Sequence, residues 1–364
     1  HNTIRNLELV KTNRDSKRYG SLLWLLDKTK TSMGARKLHS WITSPLISKE
    51  QIIYRNQAVE DFYNNTLIRQ SVSDLLKEVK DIGRISGKIS NGNLLPIDCL
   101  ALCRSLEILP ELKLKLSGFS SKYINDVINR LCDFTSIVKL LKSSIYDESE
   151  QNITEDEKKK QKNKTIIKEG YNKELDEYRY LKNNGKEFIS NFEREEKERT
   201  GIKSLRICYN RVFGYNIEVT KSFLDKIPYD YVRRQTLANA ERFITDELKE
   251  LENKLLSAED SAEILEQDLF LEIKKVLSSK IVNMQKTSDA IAELDVLISF
   301  ATVARENGYV KPEITGFGQE MKIVDGRHPV VEAVSKQRFI PNSVYMDSDQ
   351  NRTLIITGPN MAGK

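Results

Sequence analysis

The stretch Ile202-Lys-Ser-Leu-Arg-Ile-Cys-Tyr-Asn-Arg-Val-Phe-Gly-Tyr-Asn-Ile-Glu-Val-Thr220 interrupts the periodicity on both sides of it. Leu205, Ile207 and Tyr209 alternate with polar neighbours, as do Tyr215, Ile217 and Val219, with Asn210–Gly214 between the two runs. A period of two turns one side of a strand to a core and the other to water, so the stretch predicts two antiparallel strands joined by a short turn. Its flanks predict helices. From Tyr171 to about Arg199, Leu175, Tyr178, Leu181, Phe188 and Phe192 recur mostly by threes and fours. Tyr229 to Asn307 contains neither Gly nor Pro, an interval that would span ~120 Å as one helix at 1.5 Å per residue. Within it Leu248, Leu255, Ala262, Leu269 and Val276 recur at sevens, and Leu251, Ala258 and Leu265 form the second row of a heptad seam. A partner helix must cover that seam. The 171–199 helix running back is the nearest candidate, and a helical bundle without a projecting arm is the alternative.

Residues 20–150 read as helices with short polar breaks. Leu22, Leu23, Leu25 and Leu26 come first, then Leu38, Trp41 and Ile42 before Ser44-Pro45, then Ile52–Phe62, Leu67–Val79, and Leu100–Leu109 before Pro110. Asp147–Lys164 is almost free of apolar residues, which predicts a solvated loop, and its lysines sit among acids. The chain has 364 residues, 39% hydrophobic and 30% charged, which suits several domains and a soluble composition. No apolar run reaches the length of a bilayer span, which argues against membrane residence. The start at His1-Asn2-Thr3, without methionine or an apolar leader, suggests an excised piece. Cys99, Cys103, Cys132 and Cys208 show no C-x-x-C pairing and His1, His39 and His328 are scattered, so neither a zinc site nor thiol chemistry is expected.

After Gly308 and Pro312, strand-like segments at Met321–Val324 and Leu354–Thr357 predict a new α/β region. The second runs into Gly358-Pro-Asn-Met-Ala-Gly-Lys364, which fills the G-x-x-x-x-G-K frame. In that frame, glycines let backbone N–H groups close around phosphate oxygens and the lysine adds positive charge. The Ser or Thr that would hold Mg²⁺ does not follow within the chain, so this stretch by itself is not expected to hydrolyse ATP.

The formal net charge is only +5, but its location is informative. Between Arg199 and Thr245 nine basic residues (Arg199, Lys203, Arg206, Arg211, Lys221, Lys226, Arg233, Arg234 and Arg242) face four acids, Glu218, Asp225, Asp230 and Glu241. That excess accounts for the whole net charge. Cations gathered on a small β region suit contacts to phosphates more than base reading; cations that merely solvate an exposed tip are the alternative. Tyr209, Phe213 and Tyr215 alternate as core residues do, which favours packing over base stacking.

These residues resemble the MutS family of DNA mismatch repair proteins across nearly the whole chain. Tyr19–Arg36 looks like the opening of that family's core domain, and Thr200-Gly-Ile with Tyr209–Thr220 like its clamp. Arg233–Arg242 resembles the clamp's return, and Ala292-Glu-Leu-Asp295 with Gly326-Arg-His-Pro-Val330 the passage into its ATPase domain. The resemblance implies a mainly α fold: a helical core domain, two long lever helices, a small β-rich clamp inserted between them, and a truncated α/β P-loop ATPase segment at the C-terminus. The corresponding divisions are 1–185 for the core and outgoing lever, 186–245 for the clamp, 246–308 for the returning lever and core, and 309–364 for the start of the ATPase domain.

The resemblance further implies a dimer that closes around mismatched or heteroduplex double-stranded DNA, uses ATP and Mg²⁺ in the full-length protein, recruits MutL, and works in the cytoplasm on the nucleoid. Mismatch reading would belong to an upstream domain, so this stretch should grip DNA without discriminating. Carried onto matching positions, Gly358, Pro359, Asn360, Met361, Ala362, Gly363 and Lys364 would hold the phosphates and Phe339 would stack on adenine. Asn210, Asn239 and Arg242 would meet the DNA backbone; Lys203, Arg211, Arg233 and Arg234 join them on charge alone. A relative that clamps recombination intermediates without reading mismatches, and a coiled-coil chromosome-organising ATPase, are the competing readings.

Overall fold

The computed structural model describes residues 2–148, 165–210, 214–316, 320–335 and 338–357. Mainly helical, with a small antiparallel sheet inserted, the chain divides into two compact units, one of residues 1–142 with 277–364 and the other of residues 143–276.

In the first unit ten helices come before residue 145: α1 (Asn2–Asn6), α2 (Leu22–Leu26), α3 (Ser32–Thr43), α4 (Lys49–Asn64), α5 (Thr66–Glu78), α6 (Ile82–Ser90), α7 (Pro96–Glu107), α8 (Leu109–Leu116), α9 (Lys122–Arg130) and α10 (Thr135–Ser144), the last running two residues into the second unit. Their starts are written in the sequence. The side chains of Ser21, Thr31, Ser48, Asp81 and Ser121 each accept a backbone N–H from the first turn that follows, which satisfies one of the donors a helix start leaves open. α3 stops at Thr43, as Ser44-Pro45 predicts. Pro110 does not end the helical region: it sits in the first turn of α8, where its missing N–H costs nothing.

These helices gather around α13 (Ile281–Glu306), which packs against α3, α4, α5, α6 and α9. The middle of α13 is enclosed by its neighbours: Leu294, Val296, Leu297 and Ala301 have no exposed surface. Its acid Glu293 is engaged by side chains of α9. Glu293 accepts from Arg130 Nη1 at 3.1 Å, from Arg130 Nη2, and from the Tyr123 hydroxyl at 3.1 Å. Burial pushes the Glu293 carboxyl up, but Arg130, with Lys37 and Tyr123, holds it below the ordinary carboxylate range. A depressed folded value means the contribution is present above the ordinary Glu value of about 4.3 and is lost as pH falls through the folded one. The Glu293→Gln variant should therefore be less stable than wild type at pH 7, with the gap closing in acid, as read from urea midpoints between pH 7 and pH 3.

The segment after α13 forms β5 (Met321–Gly326) and β6 (Asn342–Met346), an antiparallel pair, with α14 (Pro329–Val334) between them packing on α2. The expected buried strand at Leu354–Thr357 is not formed: these residues are in no strand, and Ile355 is 88% exposed. An apolar run becomes a buried strand only where a neighbour pairs its backbone and covers its sides, and among the described residues nothing does. The glycine-lysine loop 358–364 lies outside the described residues, as do 149–164.

In the second unit α11 (Lys173–Thr200) and α12 (Asp246–Ser278) run antiparallel. Arg179 meets Glu266, Lys182 meets Glu259, and Gly185 lies against Leu255, so rising numbers on one helix match falling numbers on the other. The single helix conceivable over 229–307 is instead two strands and two helices, with α12 ending at Ser278 and α13 beginning at Ile281. The predicted seam holds over its first half, where Leu248 and Ala258 are buried, and then drifts to Glu266, Phe270, Ile273 and Leu277, leaving Val276 44% exposed. A straight helix slips ~20° per heptad against a strict seven-residue repeat, so four heptads carry Val276 off the contact face.

Candidate nucleic-acid interface

Between the two long helices of the second unit lies a sheet of four strands, β1 (Arg206–Asn210), β2 (Gly214–Thr220), β3 (Val232–Thr236) and β4 (Ala240–Ile244), in the order β1-β2-β4-β3. β1 and β2 pair as the alternation predicts, Ile207 opposite Ile217 and Tyr209 opposite Tyr215. One side of the sheet packs Ile217, Val219 and Phe243 with Ile189 of α11 and Leu248 of α12. Tyr215 joins this core, whereas Tyr209, expected to pack, remains 58% exposed with its ring edge-on to that of Tyr215. Phe213 lies outside the described residues.

The register fixes which end of the sheet is free. Asn210 pairs with Gly214 at the end where β4 leads into α12, and Tyr215 N–H donates to Glu252 of α12 at 3.1 Å. Thr220, Ala240 and the β3–β4 turn with Asn239 lie at the opposite end, where Lys221 N–H donates to the Asn239 carbonyl and Ser204 Oγ meets Thr220 Oγ1 at 2.9 Å. The two ends are ~20 Å apart, six residues of strand. Asn210 and Asn239, expected together on one binding surface, are therefore at opposite ends. The end bearing Lys203, Lys221 and Asn239 points away from the start of α12.

Gly214 has φ +72°, and a Cβ there would overlap the Glu252 carboxylate. Both the left-handed backbone and the close approach require glycine. Gly214→Ala should cost about 2 kcal/mol and lower the melting temperature of this unit's sheet, measured by near-ultraviolet circular dichroism of its tyrosines.

Charge accounting separates the nine cations. Arg199 donates to Glu196 Oε2 and to Asp230 Oδ2, each at 2.9 Å, and these hydrogen bonds, Glu196 first, hold its guanidinium above its ordinary value. Tyr231 donates to the same Glu196 at 2.6 Å, and burial pushes its phenol well up. Arg233 is 3.1 Å from Glu241. Arg242 donates to Glu218 at 3.1 Å and to Gln235 at 3.0 Å. Lys226 lies over the Phe223 ring at 5.8 Å, and Arg211 is outside the described residues.

Lys203, Arg206, Lys221 and Arg234 are exposed and make no ion pair or side-chain hydrogen bond among the described residues. Arg234 stands out because it is the extra residue of a bulge in edge strand β3, between the paired positions Arg233 and Gln235. Of the cations expected to meet DNA, Lys203 and Arg234 are exposed and without an ion pair among the described residues, while Arg233 and Arg242 are paired with Glu241 and Glu218. Arg206 and Lys221 belong to the charge excess but carry no motif. Only the sheet register places Lys221 beside Asn239.

Phe339, expected to stack on adenine, is half-buried in the segment before β6. No group of three His, Cys, Asp or Glu able to hold a metal ion occurs among the described residues, and no helix among them is long and apolar enough to cross a membrane.

Residues 2–301 match the family model described as MutS domain III. The chain is 45% identical over 363 residues to the DNA mismatch repair protein MutS of Alkaliphilus oremlandii, covering 100% of this chain and 40% of that protein. It is 46% identical over 365 residues to that of Clostridium tetani, again 100% and 40%, and 47% identical over 362 residues to that of Clostridium perfringens, 99% and 39%. The chain therefore spans about 40% of the length of these relatives.

Proposed function

The chain belongs to the MutS domain III family, and from that membership we propose that it serves DNA mismatch repair by gripping duplex DNA through its sugar-phosphate backbone. The observation that carries the proposal is the set of four cations, Lys203, Arg206, Lys221 and Arg234, in and beside the sheet, which are exposed and make no ion pair among the described residues, whereas Arg199, Arg233 and Arg242 are tied to acids of the protein. Long aliphatic stems ending in unpaired charges suit phosphates, which are equally spaced and sequence-independent. Asn239, in the turn beside Lys221, adds a neutral donor at the same end. Asn210 serves at the other end of the sheet, while Arg233 and Arg242 shape the surface that the free cations present.

In this reading α11 and α12 are the levers and the four-stranded sheet is the clamp. The core helices around α13 continue into an ATPase segment at 309–364. Gly358–Lys364 would take the nucleotide phosphates and Phe339 the base, with ATP and Mg²⁺ as the ligands of the whole protein; this part of the reading rests on the sequence motif. A homodimer, recruitment of MutL, and a cytoplasmic, nucleoid-associated location follow from the same membership.

The test is a salt titration of binding to a fully paired duplex. Neutralising four phosphates should make log K fall with log salt at a slope of about −3.6, and sequence should matter little. A flat dependence would sink the proposal.

A further inference from the structure

Across the outward side of the sheet the register aligns one residue from each strand. Arg206 of β1 is opposite Glu218 of β2, Glu218 is opposite Arg242 of β4, and Arg242 is opposite Gln235 of β3. The row spans ~14 Å at the usual spacing between strands. Within it, Glu218 Oε2 takes the Arg242 Nε proton at 3.1 Å, and Gln235 Oε1 takes a proton from Arg242 Nη1 at 3.0 Å. Two of the guanidinium nitrogens are thereby turned along the sheet instead of outward. The only acid in the row is Glu218, and it is flanked by arginine on both sides. At the edge of β1 a second acid, Glu193 of α11, accepts the Ile207 N–H at 2.8 Å. Burial pushes Glu193 up, but this N–H, Lys197 and Arg206 together hold it below the ordinary carboxylate range.

We infer that Glu218 is an affinity-limiting residue of the duplex-binding surface: by holding Arg242 it removes one cation from phosphate contact and so keeps the grip weak enough to release. The inference rests on the proposed DNA-binding reading and deepens it. The pair is partly exposed, with 19% of the Arg242 side chain and 29% of the Glu218 side chain accessible, so it is near enough to solvent for a phosphate to compete. A phosphate would have to displace Glu218 to reach Arg242, and that exchange yields little net gain, because one charge-assisted bond replaces another. A glutamine at 218 keeps the shape and an acceptor oxygen for Arg242 but frees the charge.

The experiment compares wild type, Glu218→Gln and Glu218→Gln/Arg242→Met as full-length proteins, binding a fluorescent fully paired duplex across a salt series. Glu218→Gln should bind about five- to tenfold tighter at 0.1 M salt, and its slope should steepen by about 0.9, the signature of one more phosphate neutralised. The double variant should return to the wild-type slope. A Glu218→Gln slope equal to wild type overturns the inference. So does a double variant whose slope is shallower than wild type by about 0.9, since Arg242 would then contact phosphate directly in the native protein. The double variant decides the matter even if Glu218→Gln alone folds poorly. A merely structural role for Glu218 would change melting temperature without changing the slope. If the wild-type slope itself is flat, the DNA-binding reading fails; if it is steep and only the variants disobey, the inference about Glu218 fails alone.

Discussion

Truncating Asp295 to alanine is expected to cost about 4 kcal/mol, read as a fall in the urea midpoint of unfolding. Asp295 lies on α13 with no exposed surface. Its oxygens accept the Lys30 N–H at 2.9 Å, the Thr31 N–H at 2.7 Å and the Thr31 hydroxyl at 2.7 Å. Thr31 in turn caps α3 by accepting the Gly34 N–H at 2.9 Å. One carboxylate thus fixes where α3 begins, from a position 264 residues away in the chain. Burial pushes the Asp295 carboxyl above the ordinary range even though these donors pull it down. The ion itself therefore adds little net stability, because its desolvation offsets much of what the donors supply. With a raised folded value, its contribution is fully present in acid and declines as pH rises through that value.

Truncation is costly for a different reason, since alanine leaves the buried Thr31 N–H and hydroxyl and the part-buried Lys30 N–H without an acceptor, each buried donor worth roughly 1–3 kcal/mol when unsatisfied, less what water recovers. Gly34→Ala tests the same contact from the other side, because its Cβ would lie within 2.8 Å of the Asp295 Cβ and closer still to the carboxylate. That variant should be similarly destabilised. A midpoint shift equivalent to less than about 1 kcal/mol in both variants would show that α3 is held by its apolar contacts instead.

The legible parts of this chain were those in which local pattern and tertiary environment agree. Leu205–Tyr209 and Tyr215–Val219 alternate because one side of each strand faces the core, and the hairpin forms as that alternation requires. β4 is hidden from the same reasoning. Its inward positions are Glu241, opposite Val219, and Phe243, opposite Ile217, so a buried acid occupies a place where an apolar residue would have announced the strand. Glu241 is tolerated there because Arg233 comes to 3.1 Å of it, and that pairing crosses from the neighbouring strand. β3 is an edge strand carrying Arg233, Arg234 and Gln235, polar on both sides and bulged, which blunts the edge and erases the pattern.

The candidate site follows the same division. Charge density singles out a candidate region, but whether a cation there is paired depends on acids brought near it by strand pairing. Arg233 and Arg234 are adjacent in sequence and indistinguishable there, yet Arg233 is paired with Glu241 and Arg234 makes no ion pair among the described residues. Asp295 was visible only within the run Ala292–Asp295, with nothing in that run to say that it grips Lys30 and Thr31. The drift of the α12 seam, by contrast, was foreseeable from helix geometry alone.

Replacing Lys203, Arg206, Lys221 and Arg234 together by methionine should lower duplex affinity a hundred- to a thousandfold at 0.1 M salt and flatten the slope of log K against log salt by about 3.6. The four are suited to a joint test because each is exposed and without an ion pair or side-chain hydrogen bond among the described residues. Surface substitutions of this kind change stability by less than about 0.5 kcal/mol each, so the melting temperature should barely move while binding collapses. Methionine keeps most of the aliphatic stem, which limits the loss to charge. The matched control is Arg233→Met, which removes a cation already paired with Glu241. It should leave the slope within about 0.3 of wild type, because the bridge contributes no free charge to exchange with counterions. Affinity that falls equally for the quadruple variant and for Arg233→Met would mean that paired and unpaired cations contribute alike, and the assignment of the free cations as the gripping surface would be wrong. Affinity that falls for one duplex sequence but not another would be equally damaging, since contacts to phosphate carry no sequence information.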